Sequence, residues 1–178
     1  MRLVHCFFFI ACLIVAGCAT SIPVETDYDP EQDFASLQKY AWHDQVHVLD
    51  PLVGDRIRGA IDSALAALGF IRIDPGEEPD FRVSFTAVAE QASRVSTTSP
   101  SMGYRHSRWA VGDSPSHRFR EYTRGTLIID IIDPSGKELL WRGVSARSLE
   151  EGRSPEEKAS DVREIVIAIL QKFPPKSN

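Results

Sequence analysis

The chain has 178 residues, 43% of them hydrophobic and 25% charged, with a formal charge of −5 at neutral pH. That length allows one domain of ordinary size, and the composition is that of a globular protein, not a disordered or fibrous one. The acidic balance argues against a chain built as a whole to bind nucleic acid or anionic lipid headgroups.

The N-terminus stands apart from the rest. Met1-Arg2 gives a short positive start, Leu3 to Val15 is uncharged and mostly apolar, and Ala16-Gly17-Cys18 follows. This is the pattern of a secretory signal over residues 1–17. A spanning helix needs about 20 apolar residues, and the polar run from Thr20 comes too soon for one. Val15-Ala16-Gly17-Cys18 resembles the bacterial lipobox, whose cysteine is acylated and then exposed by cleavage. The resemblance implies a thioether-linked lipid (and palmitate) on Cys18. Ala19, not Asp, follows that cysteine; by resemblance to lipoprotein sorting in enteric bacteria, this favours the periplasmic face of the outer membrane.

Cysteine usage agrees. The chain has three cysteines, Cys6, Cys12 and Cys18. Two leave with the signal and the third takes the lipid, so the mature domain can form no disulfide and offers no thiolate for metal or nucleophilic chemistry. Loss of Arg2 leaves 19 basic against 25 acidic residues, a formal charge of −6 over residues 18–178. Acyl chains, not charge, must then hold the domain to a membrane.

Residues 18–33 are polar and punctuated by Pro and Asp, which reads as a lipidated tether. A single α/β domain over residues 34–175 follows. Leu37 to His43 is predicted as a strand with Tyr40 and Trp42 on one face. A helix follows Asp50 at the N-cap and Pro51 at N1, and ends before Gly69. Its apolar stripe is Val53, Ile57, Ala60, Ile61, Ala64 and Leu68. Phe70 to Ile73 continues as a short strand to the turn at Asp74-Pro75-Gly76. Asp80 to Ala89 alternates, with Phe81, Val83, Phe85, Ala87 and Ala89 on the buried side. Thr126–Ile132 and Glu138–Arg147 form a hairpin whose Asp133-Pro134-Ser135-Gly136 turn is type I. Trp141 is expected in the core, and Arg142 to pair across the hairpin with a carboxylate such as Asp130. Ser154-Pro155-Glu156-Glu157 is a capping box opening a last helix, whose stripe is Val162, Ile165, Val166, Ile169 and Phe173.

Residues 92–123 have no sustained period and read as a long flexible loop. Five arginines there oppose only Asp113 and Glu121, and aromatics are interleaved. Arginine with aromatics is the composition of recognition surfaces. Arg94, Tyr104, Arg105, Arg108, Trp109, Arg118, Phe119, Arg120 and Tyr122 are therefore the candidate binding residues. A loop that contacts nothing specific has the same composition.

Chemical motifs are weak throughout. His43-Asp44-Gln45-Val46-His47 approaches the zinc-protease signature, but it leaves a predicted strand and shows no third ligand. Ser135-Gly136-Lys137 lacks the first glycine of a phosphate-binding loop, since Ile131 stands there, and the hairpin turn explains it. There is no G-x-S-x-G elbow, and His106 and His117 beside serines do not make a triad. No catalytic residue, metal ligand or cofactor is expected.

The chain resembles the Gram-negative lipoprotein family of the domain of unknown function 4136 type. The resemblance rests on Asp27-Tyr28-Asp29 through Tyr40-Ala41-Trp42, Asp50-Pro51-Leu52, Pro79-Asp80-Phe81, Gly125-Thr126-Leu127 through Trp141-Arg142-Gly143, and Ile169 through Pro175. It implies a two-layer α/β sandwich on a lipid anchor and carries no catalytic residues. The combined expectation is an α+β fold of the order β-α-β-β-β-α. Two helices cover one face of an antiparallel sheet of four to five strands. The expected function is a non-enzymatic binding or accessory module of the cell envelope. Its expected partners are the membrane and either an envelope protein or an anionic glycan, with no nucleic acid. A structural or stress-protective lipoprotein, or an unrecognised hydrolase, is the alternative.

Overall fold

The computed structural model describes residues 21–44, 47–48, 50–74, 76–97, 117–150 and 152–175, with residues 47, 92–97 and 117–122 described by backbone alone. The signal segment and Cys18 lie outside the described residues, as do Tyr104, Arg105, Arg108 and Trp109 of the candidate loop. The elements in order are β1 (Glu25–Tyr28), a 3-10 turn (Phe34–Ser36), β2 (Lys39–Trp42), β3 (His47–Val48) and α1 (Pro51–Ala67). They continue with β4 (Ile71–Arg72), β5 (Phe81–Thr97), β6 (His117–Ile132), β7 (Leu139–Leu149) and α2 (Pro155–Leu170).

The α+β sandwich is present, with a larger and mixed sheet. Seven strands run in the order β1-β7-β6-β5-β2-β4, and β3 pairs with β5. β5, β6 and β7 form an antiparallel meander, and β1 pairs antiparallel to β7. β2 and β3, however, lie parallel to β5, and β4 parallel to β2. The all-antiparallel expectation fails here because α1 intervenes between β2 and β5. A crossover helix returns the chain in the same direction, which a tight hairpin cannot do. The Asp80 carboxylate fixes the start of this parallel pair. Its Oδ2 accepts from the backbone N–H groups of Gln38 and Lys39 at 2.9 and 2.8 Å.

Two boundaries differ from the sequence pattern. Residues 25–28, expected within a tether, form β1, with Glu25 opposite Val144 and Tyr28 opposite Trp141. All four are exposed, so no buried face marked them as a strand. Residues 92–97 and 117–123, expected within a loop, continue the β5–β6 ladder from Ala92↔Tyr122 to Thr97↔His117. Of the expected loop of 92–123, residues 92–97 and 117–123 are therefore strand, and residues 98–116 lie outside the described residues. Backbone pairing needs no apolar alternation, so periodicity stopped short of the ladder's end.

Both helices form as their caps dictate. Asp50 accepts from the Leu52 N–H, and Gly69 takes the positive φ of 94° that ends α1. Ser154 and Glu157 complete a reciprocal capping box on α2. Of the α1 stripe, Leu68 is exposed instead, and Leu65 is fully buried in its place. The core between helices and sheet holds Ile57, Ile61 and Leu65 of α1 and Val166, Ile169 and Leu170 of α2. The sheet supplies Phe81, Val83 and Phe85 of β5, Leu127, Ile129 and Ile131 of β6, and Trp141 of β7. Phe173 anchors an aromatic cluster, with ring centroids 5.3 Å from Phe70, 5.3 Å from Trp141, and 6.0 Å from Phe34 and Phe81.

Gly143 lies one pleat beyond Trp141 on the same face, and a Cβ there would collide with the Trp141 indole and with Ile169. The missing side chain is what lets the indole lie flat under α2. Gly143→Ala should destabilise the domain by about 1–3 kcal/mol through overpacking. Urea unfolding at neutral pH measures this, and an unchanged midpoint would contradict the packing described.

Candidate functional site

The inner face of the sheet changes character along its length. At one end the pleat presents Phe81, Val83 and Phe85 of β5, Ile129 and Ile131 of β6, and Trp141 of β7. Further along the same face the residues are mostly small, Ala87 and Ala89, Gly125, and Gly143 and Ser145, with Leu127 among them. Strand alternation places all of them toward the helices. Small floor residues under helices held apart by larger ones leave space. The result is an apolar cleft of about 200 Å³, floored by Ala87, Ala89, Gly125, Leu127 and Ser145. It is walled by Val48, by Val53 and Ile57 of α1, and by Val162 and Ile165 of α2.

The polar groups at this cleft are few. Asp50 lines it, with its carboxylate engaged by the Leu52 N–H at 2.9 Å. The Ser145 hydroxyl donates to the Pro23 carbonyl at 2.9 Å, tying the chain entering β1 to the cleft wall. Arg147 stands at the cleft, and its nearest partner among the described residues is Asp161 at 3.8 Å. Asp161 is already held by Arg153 at 2.9 Å, and Arg153 also binds Glu150. Among the described residues, one carboxylate thus serves two guanidiniums, and Arg147 has the longer of the two contacts. The sequence pattern did not single out this site, although the run of small residues on the inner face was its signal.

A second polar cluster ties α1 to the sheet. The Asp62 carboxylate accepts from the Tyr40 hydroxyl at 2.8 Å, the Trp42 indole N–H at 3.1 Å and Arg72 at 2.8 Å. Arg58 lies over the Trp42 ring, 4.2 Å from its centroid. Every polar tip on the β2 inner face is thereby satisfied by one helical carboxylate. The cluster closes on itself, which is the mark of a structural lock.

The weaker motifs resolve into structure. Asp130 and Arg142 stand opposite one another and form a two-pronged pair at 2.7 and 2.8 Å, as expected. Trp141 is fully buried, also as expected. Asp133 accepts from the backbone N–H groups of Ser135, Lys137 and Glu138, and these bonds hold its carboxyl well below the usual range. Ser135-Gly136-Lys137 is therefore turn chemistry. His43 and His47 lie along the β5 edge in extended backbone, where the His43 N–H donates to the Val83 carbonyl at 2.8 Å. That is not the helical turn the zinc-protease pattern requires. Among the described residues no three of His, Cys, Asp and Glu form a metal-binding group. Arg94 falls opposite Arg120, with Arg118, Phe119 and Tyr122 on the same ladder; the rest of the candidate loop lies beyond the described residues.

Residues 24–175 match the sequence profile of a domain of unknown function, DUF4136. The chain belongs to the DUF4136 family. No curated protein matches it in sequence. Among solved structures it is similar to a PDZ domain protein from Parabacteroides distasonis, with a TM-score of 0.55 and 14% identity over 88% of this chain and 36% of the other. It therefore spans about a third of that protein. The PelC dodecamer from Paraburkholderia phytofirmans gives a TM-score of 0.51 at 12% identity, covering 86% of this chain and 99% of that one. A DUF4136 family protein from Bacteroides thetaiotaomicron gives 0.48 at 17%, covering 86% and 94%. The likeness to the first two is one of fold.

The Tyr40–Asp62 contact has a signature in pH. Burial first, then the hydrogen bond and negative charge of Asp62, raise the Tyr40 phenol above its ordinary value. An unfolded tyrosine ionises near pH 10, so the stability this bond gives is present below about pH 10 and is lost as pH rises beyond it. Tyr40→Phe should cost roughly 1 kcal/mol at about pH 8. The gap between the two proteins should then narrow by about 1 kcal/mol at about pH 11. Urea titrations at both pH values decide it, and a constant gap would count against the contact.

Proposed function

We propose that this DUF4136 protein is an envelope lipoprotein, acylated on Cys18 and presented to the periplasm from the outer membrane as a non-enzymatic binding module. The observation that carries the reading is the Val15-Ala16-Gly17-Cys18 stretch after an apolar leader, in a chain with no cysteine beyond it. Position supports it further. The chain after Cys18 reaches the domain at Pro23, where the Ser145 hydroxyl holds its carbonyl. Those five residues span at most roughly 17 Å when extended, so the anchor keeps the domain close to the bilayer. The about 50 Å reach of a tether running to residue 33 is not available, because β1 is already docked on the sheet. Binding is favoured over catalysis because the cleft between the helices and the sheet is apolar, with no paired acid and base among its lining residues.

Cells fed a clickable fatty-acid analogue should incorporate label into the wild-type protein and not into Cys18→Ala. The labelled protein should also fractionate with the outer membrane. Equal labelling of both proteins would overturn the anchor.

A further inference from the structure

We infer that the cleft between the helices and β5–β7 takes the tail of a long-chain fatty acid from the bilayer, with its carboxylate on Arg147. The source of the lipid rests on the anchored reading above, whereas the chemistry of the cleft stands on its own residues.

Four observations converge. First, the cleft is lined almost wholly by aliphatic side chains and measures about 200 Å³. An apolar lining gives a water molecule few hydrogen-bond partners, so this cleft suits a hydrocarbon chain better than water. Second, its volume suits one acyl chain and not the paired chains of a diacyl lipid. Third, the cleft rim carries the Arg147 guanidinium, whose contact with the shared Asp161 is 3.8 Å against 2.9 Å for Arg153. A guanidinium held that loosely in a partly dry setting binds a carboxylate in two-pronged fashion. The Asp50 carboxylate, also at the cleft, accepts from the Leu52 N–H at its own helix N-terminus. Fourth, the anchor and the cleft share one end of the molecule. β1 runs antiparallel to β7, so the chain enters beside Ser145, a cleft residue, five positions after Cys18. A domain held by that short stretch has this end within reach of the membrane surface.

The binding is tested in phosphatidylcholine vesicles carrying the full acylated protein. The probes are a palmitic-acid analogue with a diazirine at its chain end and the matching alcohol. On illumination, label from the acid should map to peptides containing Val162, Ile165 and Leu127. Ala87→Phe, which fills the floor, should cut this label about tenfold. Arg147→Gln should cut labelling by the acid about tenfold and leave the alcohol unchanged, the loss expected for one charge-assisted contact. The Arg147 variant alters a partly exposed side chain, so it keeps the test decisive if Ala87→Phe unfolds.

Label scattered over the surface, or unaffected by both variants, would overturn the proposal. So would a cleft that labels in Cys18→Ala and not in the acylated protein, because the protein's own acyl chain would then be the occupant. The intact mass at Cys18 separates the two readings. A labelled cleft on wild-type protein whose mass shows no acyl group supports the cleft and overturns the anchor. An acylated Cys18 with an unlabelled cleft does the reverse.

Discussion

The aromatic cluster around Phe173 is the constraint on which the rest of the architecture depends. It joins Phe34 before β2, Phe70 after α1, Phe81 on β5 and Trp141 on β7, so one side chain after α2 closes a core drawn from the whole sequence. Large rings at this end set the spacing between helices and sheet. Packed interiors tolerate little local collapse, and two stiff helices cannot bend down to follow a floor that becomes smaller. Where the pleat presents alanine and glycine, the spacing persists and the gap remains as the cleft.

Gly143 marks the passage from one regime to the other. It is buried and closely covered by Trp141 and Ile169, whereas Gly125, opposite Arg147 on the neighbouring strand, lies on the cleft floor. A Cβ on Gly125 would press on Leu149, which is partly exposed, while one on Gly143 would press on the core itself. The same residue type thus permits close packing at both positions, against the core at one and against the cleft-lining Leu149 at the other.

Much of this fold was legible in the sequence, because each legible feature has a local cause. The Asp50 and Ser154 caps, the Asp133 turn, the alternation of Phe81, Val83 and Phe85, and the Asp130–Arg142 pair all arise between residues close in sequence or directly opposite in a tight hairpin. What was not legible depends on distant partners. β1 has four exposed residues and becomes a strand only because the β7 edge offers it backbone groups. The parallel placement of β2 and β3 on β5 depends on where α1 returns the chain. Asp62 lies off the apolar stripe of α1, yet it receives Tyr40, Trp42 and Arg72 together. The Arg-rich segment drew attention through composition, while the cleft was hidden in small residues that composition passes over.

The docking of β1 bears most on function. A free tether would leave the orientation of the domain undefined, and no face could be said to meet the membrane. With β1 paired to β7 and the Pro23 carbonyl held by Ser145, the chain leaves the domain at one fixed point beside the cleft. On the proposed anchor at Cys18, a short link from a fixed point restricts orientation as well as distance, because swinging the cleft away would require more chain than lies between Cys18 and Pro23. Restricting a binding site to a thin layer at a surface raises its effective concentration toward anything dissolved in that surface. On the proposed reading, an apolar cleft held against the bilayer gains from that restriction. The proposed anchor and the proposed cleft site are then parts of one device.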